Sequence, residues 1–145
     1  MKKTGAFFAF ATLILFTAFM GCKKDESEEM IDILTSKNWK FGMVDKNAAT
    51  NPAGTNIYFA VPECEQDDIF TFRTDGTVLR AYGTKKCAGN DATNKTVNYS
   101  FDKQTRELTI DGVKYTVAEE NKTQFKYFQV TPGTTGVNNT IYLLQ

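Results

Sequence analysis

The sequence predicts an all-β domain, an antiparallel up-and-down β-barrel of about eight strands led by one short helix. Three observations predict it. From Trp39 to Leu144 apolar residues recur at every second position, the spacing that sets them on one face of a strand. Asp75-Gly76 and Asp111-Gly112 each sit between two such runs, and Asp-Gly is the dipeptide of tight two-residue hairpins. The runs follow one another as neighbouring hairpins, with no internal repeat and no second domain, and closing such a meander on itself removes its exposed edges.

The elements follow in order. Glu26 to Lys37 carries Met30, Ile31 and Leu34 along one side of a short helix, with Asp25 or Ser27 placed to cap it. "WKFGMVD" (Trp39 to Asp45) reads as the first strand, and "KNAATNPAGTN" (Lys46 to Asn56) as a long polar loop around Pro52. "IYFAV" (Ile57 to Val61) is a strand stopped by Pro62, and "DIFTFRTDGTVLRAYG" is the first hairpin. "TVNYSFD" adds a strand with Val97, Tyr99 and Phe101 on one face. "RELTIDGVKYTVAE" is the second hairpin, with Val113, Tyr115 and Val117 in register. "QFKYFQV" sets Phe125 and Tyr127 on one face and then Phe128 and Val130 on the other, a switch that a β-bulge would produce. "TPGTTGVNN" reads as a loop and "TIYLL" as the last strand.

The chain opens with Met1-Lys2-Lys3, then stays nearly all apolar from Ala6 to Met20. That run falls short of the ~20 residues of a spanning helix and suits the apolar region of a secretory signal. Met20-Gly21-Cys22 puts a small residue directly before a cysteine and resembles the lipobox of bacterial lipoproteins, with Phe19 where that motif usually has leucine. The resemblance implies cleavage before Cys22 and a diacylglycerol on its sulfur, several acyl chains being what a lasting membrane hold requires. "KKDESEE" then reads as a solvated tether, and its Lys24-Asp25-Glu26 resembles the export signal of surface lipoproteins of Bacteroidota. The expected layout is a signal peptide over 1–21, a lipidated cysteine and tether over 22–29, and the barrel over 30–145. The expected location is the outer membrane, facing outward, with its periplasmic face as the alternative.

Composition narrows the chemistry. The whole chain is neutral, and loss of Lys2 and Lys3 with the signal leaves 15 positive against 17 negative side chains, no footprint for nucleic acid. There is no histidine, which removes the commonest general base and metal ligand together. Serine occurs only at Ser27, Ser36 and Ser100, with no GxSxG and no phosphate-cradling glycine loop. No catalytic residue, metal or cofactor is therefore expected, and the domain is expected to be a monomer. With Cys22 assigned to lipid, Cys64 and Cys87 remain for one disulfide, worth roughly 3 kcal/mol in the chain-entropy account. Glu63, Glu65, Asp67 and Asp68 crowd four carboxylates into "ECEQDD". That spacing is not a calcium loop, and the stretch reads as a solvated approach to a strand.

A short helical lead into a tryptophan strand ("LTSKNWKF"), a long loop, then "CEQDDIFTFRTDGTV" and "KKC" resemble the lipocalin-like lipoproteins of Bacteroidota, over Leu34 to Leu144. The glycine two places before the tryptophan in the lipocalin motif is Lys37 here. The resemblance implies that Trp39 packs across the closed end, that Lys46 to Asn56 overhangs an open mouth, and that the interior is a cup for a small apolar or amphipathic molecule. Alternation along the strands points Phe70, Phe72, Tyr99, Phe101, Tyr115, Phe125 and Tyr127 inward as the candidate ligand-binding residues. The other expectation is an accessory surface lipoprotein with a filled interior that contacts a protein or glycan.

Overall fold

The computed structural model describes residues 32–89, 92–133 and 136–145. The expected signal peptide, Cys22, the tether and residues 26–31 of the expected helix lie outside them. From that helical stretch the described residues form a turn, in which the Thr35 amide donates to the Asp32 carbonyl at 3.1 Å. The Asp32 side chain also accepts the Leu34 amide at 3.1 Å.

The described chain is all-β. Its strands are β1 (Thr55–Tyr58), β2 (Ile69–Phe72), β3 (Thr77–Ala81), β4 (Asn94–Asp102), β5 (Glu107–Ile110), β6 (Val113–Glu120), β7 (Phe125–Gly133) and β8 (Gly136–Leu144). They form one 8-stranded sheet in the order β1-β8-β7-β6-β5-β4-β3-β2. From β2 to β8 every neighbour is antiparallel, as the alternation and Asp-Gly turns predict. Asp111 and Gly112 take φ of 50° and 79°, the left-handed pair that a two-residue hairpin needs and that a β-branched residue would resist.

Three expectations are corrected. First, the sheet is mixed, because β1 runs parallel to β8, with Thr55 opposite Asn138 and Tyr58 opposite Ile141. Among the described residues no ladder joins the edge strands β1 and β2, so the sheet itself is not closed. The expected strand at Trp39 contracts to two bridges, because its partner changes after a single pair. Trp39 and Phe70 exchange amide hydrogen bonds of 2.8 Å on one side. On the other side Lys40 and Gln145 exchange bonds of 3.0 and 2.9 Å, and the Gly42 amide donates to Leu143 at 2.8 Å.

Second, the bulge lies in β6 and not in β7. β7 pairs with β8 without interruption from Phe125–Leu144 to Gly133–Gly136, whereas the β6 register shifts between Val117 and Glu119. The shift takes Glu119 off the inward face of Tyr115 and Val117 and sets it opposite Lys126. Third, the loop expected to overhang an open mouth, Lys46 to Asn56, lies in its first half against Lys126 of β7. The fully buried Lys126 ammonium draws it there, donating to Asp45 Oδ2 at 2.8 Å, the Asn47 carbonyl at 2.7 Å, Thr50 Oγ1 at 3.0 Å and Asn51 Oδ1 at 2.7 Å.

One end of the molecule is solid. Leu34, Trp39, Phe72, Val78, Leu108, Val117, Phe125 and Leu144 form a contiguous buried cluster there. Each large side chain removed from water stabilises by ~1.5–3 kcal/mol. The Trp39 indole N–H, which burial would otherwise leave unsatisfied, donates to the Leu34 carbonyl at 2.9 Å.

Candidate functional site

Above the packed cluster the strands enclose a cavity of about 410 Å³. Phe72, Val78 and Leu144 form its floor, and Val97 and Ile110 one wall. Phe41, Phe59 and Phe70 line the side where the sheet is not joined, and Tyr115, Tyr127 and Tyr142 line the rest. The tyrosines form one aromatic cluster across β6, β7 and β8. Tyr127 and Tyr142 lie parallel, with centroids 5.1 Å apart and planes 10° apart. Tyr115 meets them edge-on at 5.1 and 5.5 Å, and Phe59 stacks on Tyr142 at 4.9 Å.

None of these three phenols has a hydrogen-bond partner among the described residues, although Tyr127 is only 7% exposed. Burial, followed by the neighbouring tyrosines, raises the Tyr115 and Tyr127 pKa values, so both remain neutral phenols at physiological pH. Each therefore keeps a proton to donate.

The rim is charged and internally paired. Lys95 and Asp111 meet at 3.0 Å. Arg80 Nε donates to Asp68 Oδ2 at 2.7 Å, while one terminal nitrogen reaches Asp68 at 2.6 Å and Glu65 at 2.9 Å. The guanidinium also lies 5.5 Å from the Phe70 ring centroid and 5.8 Å from that of Phe41. Burial works against the Arg80 charge, but the two carboxylates outweigh it and raise the pKa further. The fully buried Asp68 is satisfied on its other oxygen by the Gly83 amide at 2.8 Å.

The Cys64–Cys87 disulfide is formed, with Cα atoms 5.1 Å apart, and ties the Glu63–Glu65 turn to the loop after β3. That tie holds Glu65 beside Arg80. The four carboxylates of "ECEQDD" go to separate places: Glu63 to Lys85 at 2.6 Å, Glu65 and Asp68 to Arg80, and Asp67 to the Thr84 amide at 2.7 Å. Among the described residues, no three acidic or cysteine side chains gather where one metal ion could sit.

Of the residues expected to point into a pocket, Phe70, Phe72, Tyr115 and Tyr127 line the cavity. Tyr99, Phe101 and Phe125 instead join the packed end. Tyr99 stands edge-on to Phe72 at 4.9 Å with its hydroxyl donating to the Arg73 carbonyl at 2.9 Å, and Phe101 stands edge-on to Phe125 at 5.7 Å. Phe41, Phe59, Arg80 and Tyr142 are lining residues that the sequence reading missed. Tyr142 shares its parity with Leu144, and Arg80 shares its parity with Val78, so alternation along β8 and β3 carried a signal for both. No family model, curated protein or solved structure matches this chain.

Proposed function

We propose that this protein is a lipid-anchored, non-catalytic, lipocalin-like lipoprotein whose strands wrap a cup for one small apolar or amphipathic molecule. The cavity is the observation that carries the reading. At about 410 Å³ it falls in the ~300–1,000 Å³ range of small-molecule sites, and like them it is mainly apolar with a few polar tips. A filled interior would have favoured the accessory role instead. The barrel-like wrap is supported by the Trp39–Gly42 segment, hydrogen-bonded to Phe70 on one side and to Leu143 and Gln145 on the other. Attachment through Cys22 and outward display on the outer membrane rest on Met20-Gly21-Cys22 and the "KKDESEE" that follows.

Native mass spectrometry of the protein tests the cup, once as gently purified from its source and once after denaturing and refolding. The expected result is an adduct present in the first sample and lost from the second. Identical bare masses, with no uptake of added apolar compounds, would refute it. For the anchor, a Cys22→Ala variant is expected to leave the membrane fraction. Its staying there at wild-type levels would remove that part of the proposal.

A further inference from the structure

The cup reading leaves its occupant's chemistry open, and the cavity walls narrow it. Building on that reading, we propose that the occupant is a flat, uncharged ring compound carrying a carbonyl or ether oxygen, which accepts hydrogen bonds from the Tyr127 and Tyr142 hydroxyls. Three features of the walls converge on this class.

The first is which part of the rings faces inward. Tyr142 has Phe59 stacked against it at 4.9 Å and Tyr127 at 5.1 Å, so its faces are covered and it offers the cavity an edge and a hydroxyl. Ring edges carry the positive end of the aromatic quadrupole and pack best on the π-face of another ring. An alkyl chain gains burial and dispersion from such an edge but none of this electrostatic match, and a cation is repelled by it.

The second is hydrogen bonding. A phenol that faces a cavity without a protein partner can bond a ligand acceptor in place of water, and loses that bond when the ligand offers none. The Tyr127 side chain is more than nine-tenths buried and its hydroxyl has no protein partner among the described residues, yet that oxygen is not fully buried, so it faces accessible space. Its raised pKa and that of Tyr115 keep these phenols protonated and able to donate.

The third is charge. A carboxylate ligand needs a free cation, and the rim has none to offer among the described residues. Arg80 serves both Asp68 and Glu65, and Lys95 serves Asp111. Bringing an anion beside the Arg80 carboxylates costs desolvation, and Lys95, more than half exposed and already paired with Asp111, offers only a screened partner in return. Fatty-acid-like ligands are thereby disfavoured.

Equilibrium dialysis of the purified protein, stripped by denaturing and refolding, tests this with four probes of similar size. Coumarin is neutral with a carbonyl acceptor, naphthalene is neutral without one, coumarin-3-carboxylate is an anion, and N-methylquinolinium is a cation. Coumarin is expected to bind tightest, with the two ions weaker by ~10-fold or more. Tyr127→Phe and Tyr142→Phe are each expected to weaken coumarin ~2- to 10-fold, the range of one net hydrogen bond, and to leave naphthalene unchanged. Two variants guard against one of them folding poorly, and an unchanged thermal midpoint qualifies each. If either ion matches coumarin, if naphthalene does, or if both folded variants bind coumarin normally, this inference falls while the cup stands. If no probe binds the wild type at all, the cup falls with it.

Discussion

Replacing Lys126 with methionine removes a charge while keeping most of the side-chain volume. The ammonium is fully buried, sits within 3.0 Å of four oxygens and lies 3.8 Å from Glu119, and both acidic partners have side chains only 8% exposed. An exposed ion pair is worth ~0–1 kcal/mol, but removing one partner of a buried pair strands the other and costs ~3–5 kcal/mol. The variant is therefore expected to lose ~3–5 kcal/mol in urea unfolding at pH 7.

Acid distinguishes this mechanism from simple loss of packing. Burial alone would push the Asp45 carboxyl up, but hydrogen bonds from Lys126, the Asn47 amide, Tyr58 and Gln124 together hold it well below the usual carboxylate range. A carboxyl whose folded pKa is depressed contributes stability that is present above its unfolded value near ~3.9 and lost as pH falls through the folded one. In the variant Asp45 loses the Lys126 bond but keeps those of the Asn47 amide, Tyr58 and Gln124, so its folded pKa moves up toward the ordinary carboxylate value and its pH-dependent contribution shrinks. The deficit against wild type should be largest at pH 7 and shrink steadily below about pH 4. A deficit under ~1 kcal/mol at pH 7, or one unchanged by acid, would refute the account.

The remaining predictions concern the cavity rim. Converting Cys64 and Cys87 together to serine is expected to lower stability by roughly 3 kcal/mol, and reductant should then no longer shift the urea midpoint. A wild-type midpoint insensitive to reductant would count against the disulfide's contribution. In Gly83→Ala the new methyl falls within the Asp67 carboxylate, which must leave the Thr84 amide and hydroxyl that it holds at 2.7 and 2.9 Å. The expected loss is ~1–3 kcal/mol, read as a lower thermal midpoint, and an unchanged midpoint would show that the loop yields freely.

What the sequence made legible was local. Period-two alternation and two Asp-Gly pairs gave the meander from β2 to β6, because a hairpin's register is decided within a dozen residues. The parallel β1–β8 pair joins positions more than eighty residues apart, and nothing in "TNIY" or "NNTI" marks one as the partner of the other. The loop's destination was hidden for the same reason. A lysine between Phe125 and Tyr127 looks like an ordinary solvated position until Asp45, Asn47, Thr50 and Asn51 are seen around it. At the candidate site, inward parity chose seven rings correctly as buried or half-buried. It could not separate those that fill the packed end from those that line the space above, since that depends on height along the strand.

The way the two edges are bridged has a consequence for how the protein is made. Residues 138–145 hold β1 along one stretch and Lys40 and Gly42 along the next. These are among the earliest described parts of the chain, and their partner is synthesised after everything between them. While the polypeptide is still emerging, residues 39–58 have no β8 to pair with, and the wrap cannot finish. Contacts of such long range form slowly, and until they form the aromatic lining stays exposed. A chain built this way remains threadable until its last strand is free, and any molecule it carries must be taken up afterwards.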